Sequence, residues 1–458
     1  MLLPSPTSHA SPRRSAFSPN RRASLLAAGA ALALSLGACG GNDESTSATD
    51  AAATSSTAAT SFTPSPGTDI PTVKVRFAMW PYGDTTLGVV GIKQGWFKEV
   101  GIDLVNGDET RPIDQVHQQL VNDQLDVGSA LVSLQLQSYA KSPQLKMFQL
   151  QNSYIGNYVM ASPKAGAKDY DAFASQGQDF STAFKSAVGQ MKGKRVALSD
   201  TGINREFFNT VLRLGGLKPA DIKLQLVSDA KIVQLAKAGS IDYGLPGGAA
   251  QNVELLNLGF TRIAGVQQLL DGLPAGNPDA ANGIAHAGLQ ASEAWIEGNE
   301  ETVLRMMGVF YRIIDEIQNQ PREALKQSLP ILSKSAGVDL TLDDAETMFK
   351  LFYGTVNFEQ AKEIVEDKDA KLYYETIYKP QIDAAKAGGV LPKDDEITPD
   401  DIIVFKKYYE ILAGLKGQYD SLLASEKPTG ELADKAKAFY EERDYLDAYR
   451  FLKAATEA

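Results

Sequence analysis

Arg195-Val-Ala-Leu-Ser-Asp-Thr-Gly-Ile-Asn-Arg-Glu-Phe-Phe208 joins a short apolar run, a polar loop and the start of a helical pattern. Val196 to Leu198 predicts a brief strand, and Thr201-Gly202 breaks it. Beyond the loop, Phe207, Phe208, Val211, Leu212 and Leu214 recur at helical spacing. A loop that leaves the carboxyl end of a strand and opens a helix offers unpaired N–H donors and a positive dipole end to a ligand. The construction is repeated. Arg76-Phe-Ala-Met79 and the loop containing Gly83 lie 119 positions before Arg195-Val-Ala-Leu198 and Gly202. Downstream, Leu125-Asp-Val-Gly128 is echoed by Ile241-Asp-Tyr-Gly244, 116 positions on. The repeat favours two similar α/β lobes, each with a ligand-facing loop after its first strand, over a single long sheet of repeated βαβ units.

Working outward, Thr72 to Met79 alternates like a half-buried strand, and Trp80-Pro-Tyr-Gly-Asp84 reads as a loop. Thr85 to Lys98 is helix-like, Gly101 to Val105 is strand-like, and Ile113 to Asn122 is helical. Thr341-Leu-Asp-Asp344 and Thr398-Pro-Asp-Asp401 are helix starts, with threonine caps and early acids. Ile402 to Leu415 and Leu432 to Leu452 have amphipathic helical spacing.

The chain has 458 residues, enough for two sizeable cores. Its net charge is −11, and the first 39 residues hold four arginines and no acid, so the remainder carries −15. An acidic body without a basic cluster argues against nucleic acid, whose binding rests on neutralised phosphates. Cys39 is the sole cysteine, which excludes internal disulfides and cysteine-built metal sites.

Residues 1–39 form an export segment: Arg21-Arg22 precedes an apolar run, Leu26 to Leu36, too short to span a membrane comfortably. Leu36-Gly-Ala-Cys39 resembles the bacterial lipobox, which implies cleavage before Cys39 and diacylglycerol on its sulfur. The paired arginines before Ser24-Leu-Leu26 also resemble a twin-arginine export signal. Residues 40–71, rich in Ser, Thr and Ala, read as a disordered tether of about 100 Å when stretched.

Gly95-Trp-Phe-Lys-Glu-Val-Gly-Ile-Asp-Leu104 resembles a signature of substrate-binding proteins of ABC importers, in the nitrate/sulfonate/taurine and thiamine-pyrimidine group. Leu125 to Gly128, Met191 to Ala197, Ala236 to Gly244, and Trp295 to Val303 with Pro321-Arg-Glu-Ala324 follow as further landmarks in the same order. The resemblance implies an α/β fold, a two-lobed clamshell of the periplasmic-binding-protein type II kind. The chain would cross between lobes near 154–160 and 259–265. Lobe 1 would comprise 72–159 and 262–399, and lobe 2 would comprise 160–261. Residues 400–458 would be a C-terminal α-helical extension packed on lobe 1.

Four loops then converge on the cleft. Trp80, Tyr82, Asp84 and Thr85 supply an aromatic jaw, and Gly128 and Ser129 allow close approach to backbone. Ser199, Thr201, Gly202, Asn204 and Arg205 supply a polar jaw, with Arg205 able either to clamp a sulfonate or carboxylate in bidentate fashion or to pair with Glu206 or a surface acid. Tyr243, Pro246 and Gly247 come from the fourth loop, with Asn252 as a lesser candidate. The expected function is capture of a small organic solute, an organic sulfonate or acid or a heteroaromatic such as a pyrimidine, for delivery to an ABC permease. No cofactor or metal and no reaction is expected, and the protein is read as a monomer, lipid-anchored at Cys39 outside the cytoplasm. A ligand-sensing lipoprotein that docks a partner through its C-terminal helices is the alternative.

An enzyme is disfavoured. His117 and His286 have no His or Cys at metal-ligand spacing, and no Gly-x-Ser-x-Gly, P-loop or dinucleotide fingerprint is present. The remote enzymatic alternative is the yeast-type pyrimidine synthase, which resembles this group in fold. It uses a histidine in its first loop and a cysteine-rich motif, both missing here.

Overall fold

The computed structural model describes residues 62–107 and 109–458; the export segment, Cys39 and the tether up to residue 61 lie outside them. The chain first lays down strands β1 (Val73–Ala78), β2 (Ile102–Val105), β3 (Val127–Leu131) and β4 (Leu145–Tyr154). It then crosses to β5 (Tyr158–Ala161), β6 (Arg195–Ser199), β7 (Lys223–Val227), β8 (Tyr243–Leu245) and β9 (Thr261–Gly265). It returns with β10 (Ala285–Ser292) and, much later, β11 (Tyr353–Thr355). Two sheets result, ordered β11-β4-β10-β3-β1-β2 and β7-β6-β8-β5-β9. In each, the first βαβ unit is parallel: β1 pairs with β2 and β3, and β6 with β7 and β8. The strands contributed after a crossing are antiparallel: β10 against β3 and β4, and β5 against β8 and β9. This is the two-lobed α/β clamshell that the resemblance implies, with the additional C-terminal helices present.

The repeated sequence pattern has a structural cause. The Arg76 guanidinium donates to Asp126 at 2.5 Å while the Arg76 backbone N–H donates to the same carboxylate at 2.7 Å. In the second lobe Arg195 does the same to Asp242, at 2.7 and 2.9 Å. Each pair joins one strand to the turn entering the strand beside it. The following glycines answer to packing: a Cβ on Gly128 would meet Val116 at 2.6 Å, and one on Gly244 would meet Ile232 at 3.1 Å.

The lobe boundaries differ from those read in the sequence. The second sheet begins at Tyr158 and its last strand runs to Gly265, so the 160–261 span is too narrow. Thr261-Arg-Ile-Ala-Gly265 pairs along β5 instead of crossing, and the chain rejoins the first sheet only at Ala285. Nor do residues 262–399 belong to one lobe. The helices Pro321–Ala336 and Leu342–Leu351 and the turn between them place Leu332, Met348 and Leu340 in an apolar cluster with Ile232, Val253 and Leu255 of the second lobe. Thr341 caps the second of these helices, accepting from the Asp344 N–H at 3.1 Å.

At the C-terminus the helix Phe405–Glu426 packs along β4, and Tyr445–Glu457 packs on the helix Glu300–Asn319. Buried Arg305 and Asp447 meet at 2.7 Å, and Arg450 donates to the Asp447 carboxylate at 2.6 Å. The amphipathic run 432–452 is two helices, Glu431–Glu441 and Tyr445–Glu457, because Arg443 takes a left-handed φ of 69°. That kink brings backbone against Gly308, where a Cβ would lie 2.8 Å from the Arg443 carbonyl oxygen. Thr398-Pro-Asp-Asp401 caps only a single 3₁₀ turn, and the long helix begins at Phe405. No helix among the described residues is long and apolar enough to cross a membrane.

Candidate functional site

Between the lobes lies a cleft of about 240 Å³. Its first wall is the loop after β1, held in shape by its own backbone. The N–H groups of Thr85 and Thr86 donate to the Tyr82 carbonyl at 3.1 and 2.9 Å, and the Thr85 hydroxyl donates to the Trp80 carbonyl at 3.1 Å. Trp80, Tyr82, Asp84 and Thr85 all line the cleft. Trp80, at 3% exposure, packs on Ile113, Leu131 and Leu134, which complete an apolar floor. Tyr82 is 44% exposed and stands at the mouth.

The opposite wall comes from the second lobe: Ser199, Thr201, Ile203 and Asn204 after β6, Asp229 after β7, and Gly247 to Ala249 after β8. Thr201 caps its helix, accepting from the Asn204 N–H at 3.3 Å. Gly247 gathers this wall together. Its N–H donates to Asp229 at 3.1 Å, its carbonyl accepts from the Tyr154 hydroxyl at 2.8 Å, and the Asn204 amide fills the space a Cβ would need. Tyr154 ends β4 of the first sheet, so its bond to Gly247 ties one jaw to the other.

The electrostatics are one-sided. Asp84 and Asp229 line the cleft, and among the described residues no Lys, Arg or His does. Burial pushes the Asp84 carboxyl up to about 6; its own backbone N–H and the Asn152 amide, which donates at 3.2 Å, oppose that rise. Burial, then the carboxylates of Asp84 and Asp229, raises the Tyr154 hydroxyl well above its ordinary value. Tyr82 is raised by burial and by the same two carboxylates. Two buried polar atoms of lining residues have no partner, Trp80 Nε1 and Asn157 Oδ1.

Seven residues expected at the site, counting the lesser candidate Asn252, lie off the cleft lining. Gly128 is pressed beneath Val116, and the Ser129 hydroxyl donates to the Thr85 carbonyl at 3.0 Å, so this loop braces the first wall from behind. Tyr243 sits in the core at 0% exposure, its hydroxyl raised to about 12 by burial. Pro246 is buried beside it, outside the lining. Gly202 is exposed with open space around it. Arg205, its side chain 51% exposed, faces Asp200 at 3.5 Å and reaches no cleft atom. The second jaw's anion clamp is therefore a surface ion pair. Asn252 donates its amide to the Gly156 carbonyl at 3.1 Å and supports the crossing.

The lining also includes Tyr154, Asn157, Asp229, Ala285 and Tyr353, which the four-loop reading missed. Asp229 follows a strand-to-helix turn of the same kind as Ser199 and was legible by analogy. Tyr353, on β11, packs its ring 5.8 Å from that of Tyr154, and no local pattern announces it. His117 is half-buried beside Ser142, and His286 is buried against Tyr378, its Nδ1 2.8 Å from the phenol oxygen. Neither lines the cleft.

Comparison with known proteins agrees with this architecture. No curated protein sequence matches the chain. The fold is similar to the periplasmic aliphatic sulphonate binding protein SsuA from Escherichia coli, with a TM-score of 0.50 and 16% identity over 73% of this chain and 98% of that one. It is equally similar to a putative sulfonate ABC transporter periplasmic sulfonate-binding protein from Methylobacillus flagellatus KT, with a TM-score of 0.50 and 14% identity over 76% of this chain and 96% of that one. A family model described as the NMT1-like family matches residues 68–249, and one described as NMT1/THI5 like matches 184–324. Overlapping across the second lobe, the two matches together span residues 68–324, run through both halves of the clamshell, and liken the chain to NMT1/THI5-type proteins.

Proposed function

We propose that this chain is an exported solute-binding lipoprotein that captures a small organic molecule between its lobes and delivers it to an ABC-transporter permease. The observation that carries the reading is the cleft itself: two loops of matching origin face each other, tied by Tyr154 and Gly247, over unpartnered buried polar atoms. Trp80, Tyr82, Asp84 and Thr85 would contact the solute from one side, and Ser199, Thr201, Asn204 and Gly247 from the other. Contacts made to both walls at once favour the closed arrangement, and that differential affinity drives closure. Of the two solute classes expected, the heteroaromatic is favoured: the rings of Trp80 and Tyr82 suit it, and among the described residues no cationic side chain lines the cleft to meet a sulfonate. The reading assigns no reaction. Cys39 would carry the lipid, residues 40–71 would hold the clamshell above its membrane, and the twin-arginine route remains the proposed path of export.

A thermal-shift screen of the purified chain against sulfonates, pyrimidines, amines and aromatic acids tests this. A solute present at 100 times its Kd should add about 2.7 kcal/mol to stability. Small-angle scattering on titration should show compaction. No shift across the panel and no compaction would sink the reading.

A further inference from the structure

We propose that the cleft takes a small organic cation, a protonated amine on a ring or short apolar body, with Asp84 and Asp229 as its counter-charges and Trp80, Tyr82, Tyr154 and Tyr353 as its walls. This rests on the solute-binding reading and names the charge class of the solute.

The first ground is the charge census of the lining. Both ionisable groups of ordinary acidic or basic character are carboxyls, Asp84 and Asp229, and among the described residues neither has a cationic partner. Asp84 is 6% exposed and meets its own backbone N–H and the Asn152 amide, neither of them a cation. A carboxylate withdrawn from water is costly unless a cation or several donors face it. Asp229 holds the Gly247 N–H with one oxygen, Oδ1, and so is aimed at the same wall. A bound ammonium supplies the missing positive charge.

The second ground is independent of charge. Asn157 Oδ1 is buried without a donor, as an ammonium or amine N–H would satisfy, and Trp80 Nε1 is buried without an acceptor. Such atoms are rare in folded proteins and are satisfied when a partner arrives. Together they describe a solute with a donor end and an acceptor elsewhere on its body. Aromatic rings add attraction for a cation beyond their apolar area.

The third ground is size and origin. A cavity of about 150 Å³ holds benzene, so about 240 Å³ accommodates one ring with a short substituent. Tyr353 lies beyond residue 324, where the second family match ends. One wall of the cleft therefore comes from an element outside the matched segment, and the solute class need not follow that of structurally similar proteins.

Calorimetric titration of the purified chain at about pH 7.5 tests the proposal with charge-matched triplets on three bodies. These are 4-(aminomethyl)pyridine, 4-pyridinemethanol and isonicotinate, and the corresponding amine, alcohol and acid on benzyl and butyl frames. On at least one body the amine should bind about tenfold or more tighter than its alcohol, with the acid weakest. Asp84→Asn and Asp229→Asn should each lose about tenfold for the amine while leaving the alcohol within about twofold. Asp229 is half-buried, so its variant serves should the Asp84 change disturb folding, which circular dichroism would reveal. Binding of an acid or alcohol as tightly as the matching amine overturns the cation proposal and leaves the solute-binding reading standing, as does amine binding that neither variant weakens. Failure of all nine compounds to bind overturns both.

Discussion

The two loops that follow β1 and β6 begin alike and end differently. Both leave a strand pinned by an Arg–Asp pair, Arg76 to Asp126 in one lobe and Arg195 to Asp242 in the other. Both face the same cleft. Yet the first turns its acid inward, with Asp84 at 6% exposure, while the second turns Asp200 and Arg205 outward into a surface pair at 3.5 Å. A shared scaffold thus carries one loop that stores electrostatic cost and one that does not. The difference teaches where binding energy can come from: a group left unsatisfied in the empty protein gains most when a partner arrives, whereas a solvated pair gains little.

The sharpest way to break the comparison is to remove the stored cost. With its carboxyl raised from 3.8 to about 6, Asp84 in the folded chain holds its proton after the unfolded chain has released its own. Stability therefore falls as pH rises between these values, and the deficit above pH 6 is on the order of 3 kcal/mol. Asp84→Asn should stabilise the empty protein by up to that amount at pH 8, with no gain near pH 4. Asp200→Asn on the other loop should stay within about 0.5 kcal/mol. Urea unfolding at both pH values measures this. His286 acts with the opposite sign: burial lowers it to about 4, so its stability contribution is present above 6.5 and lost as pH falls toward 4. In the native chain the two slopes offset; in Asp84→Asn the acid sensitivity of His286 should stand exposed. A flat profile in the variant would contradict both assignments.

The shared scaffold is tested next. Asp126→Ala and Asp242→Ala each remove a carboxylate that holds a backbone N–H and a guanidinium. The arginine side chains are 42% exposed in both lobes, so solvent screens the pairs. Each loss should cost about 1–2 kcal/mol, below the 3–5 kcal/mol of a broken fully buried pair. Equal costs by urea denaturation would sharpen the view of the two lobes as one design used twice. A silent variant in one lobe would break it.

This scaffold was legible in the sequence because its signals are local. Arg76 and Asp126 recur as Arg195 and Asp242 at the nearly equal offsets of 119 and 116, and the strand–loop–helix pattern places both cleft loops. The aromatic jaw also followed, since Trp80 and Tyr82 sit in a loop with no strand partner to occupy them. What could not be read is which way a side chain turns. Ser129 lies within β3 and Ser199 ends β6, but only Ser199 lines the cleft, because Ser129 is spent on the Thr85 carbonyl. Arg205 lies one position past Asn204, and on a helix that step of 100° separates the cleft from solvent. Tyr353 reaches the cleft by pairing β11 to β4 some two hundred residues away in sequence, a relation no local pattern carries.

Two glycines give a smaller contrast. A Cβ on Gly83 would lie 2.7 Å from the Tyr353 ring, whereas one on Gly202 has nothing within 4 Å. Gly83→Ala should displace Tyr353, costing about 1–3 kcal/mol as overpacking does and changing ligand affinity. Gly202→Ala, in the first turn of the helix Gly202–Leu214, should be neutral or stabilising by about 0.5 kcal/mol. Thermal melts with and without a bound amine separate packing from binding. Loss of affinity in Gly202→Ala alone would move the second loop's role from its side chains to its backbone.

The smallest effect is expected at Arg205, the residue whose chemistry looked most specific. A guanidinium at a helix start suggests an anion clamp, but a clamp must be desolvated to discriminate, and this one is half in water beside Asp200. Arg205→Ala should change stability by less than about 0.5 kcal/mol and leave the affinities of amine, alcohol and acid in their original order. A clamp would show otherwise, through selective loss of the acid. Because the cleft holds two carboxyls and Arg205 lies outside it, removing this positive charge should slightly favour approach of a cation at low salt, an effect that fades as salt screens it. Measuring the association rate of a protonated amine at low and high ionic strength therefore reads the charge of the whole mouth rather than of one side chain, and a rate that rises with salt would place the positive field at the cleft after all.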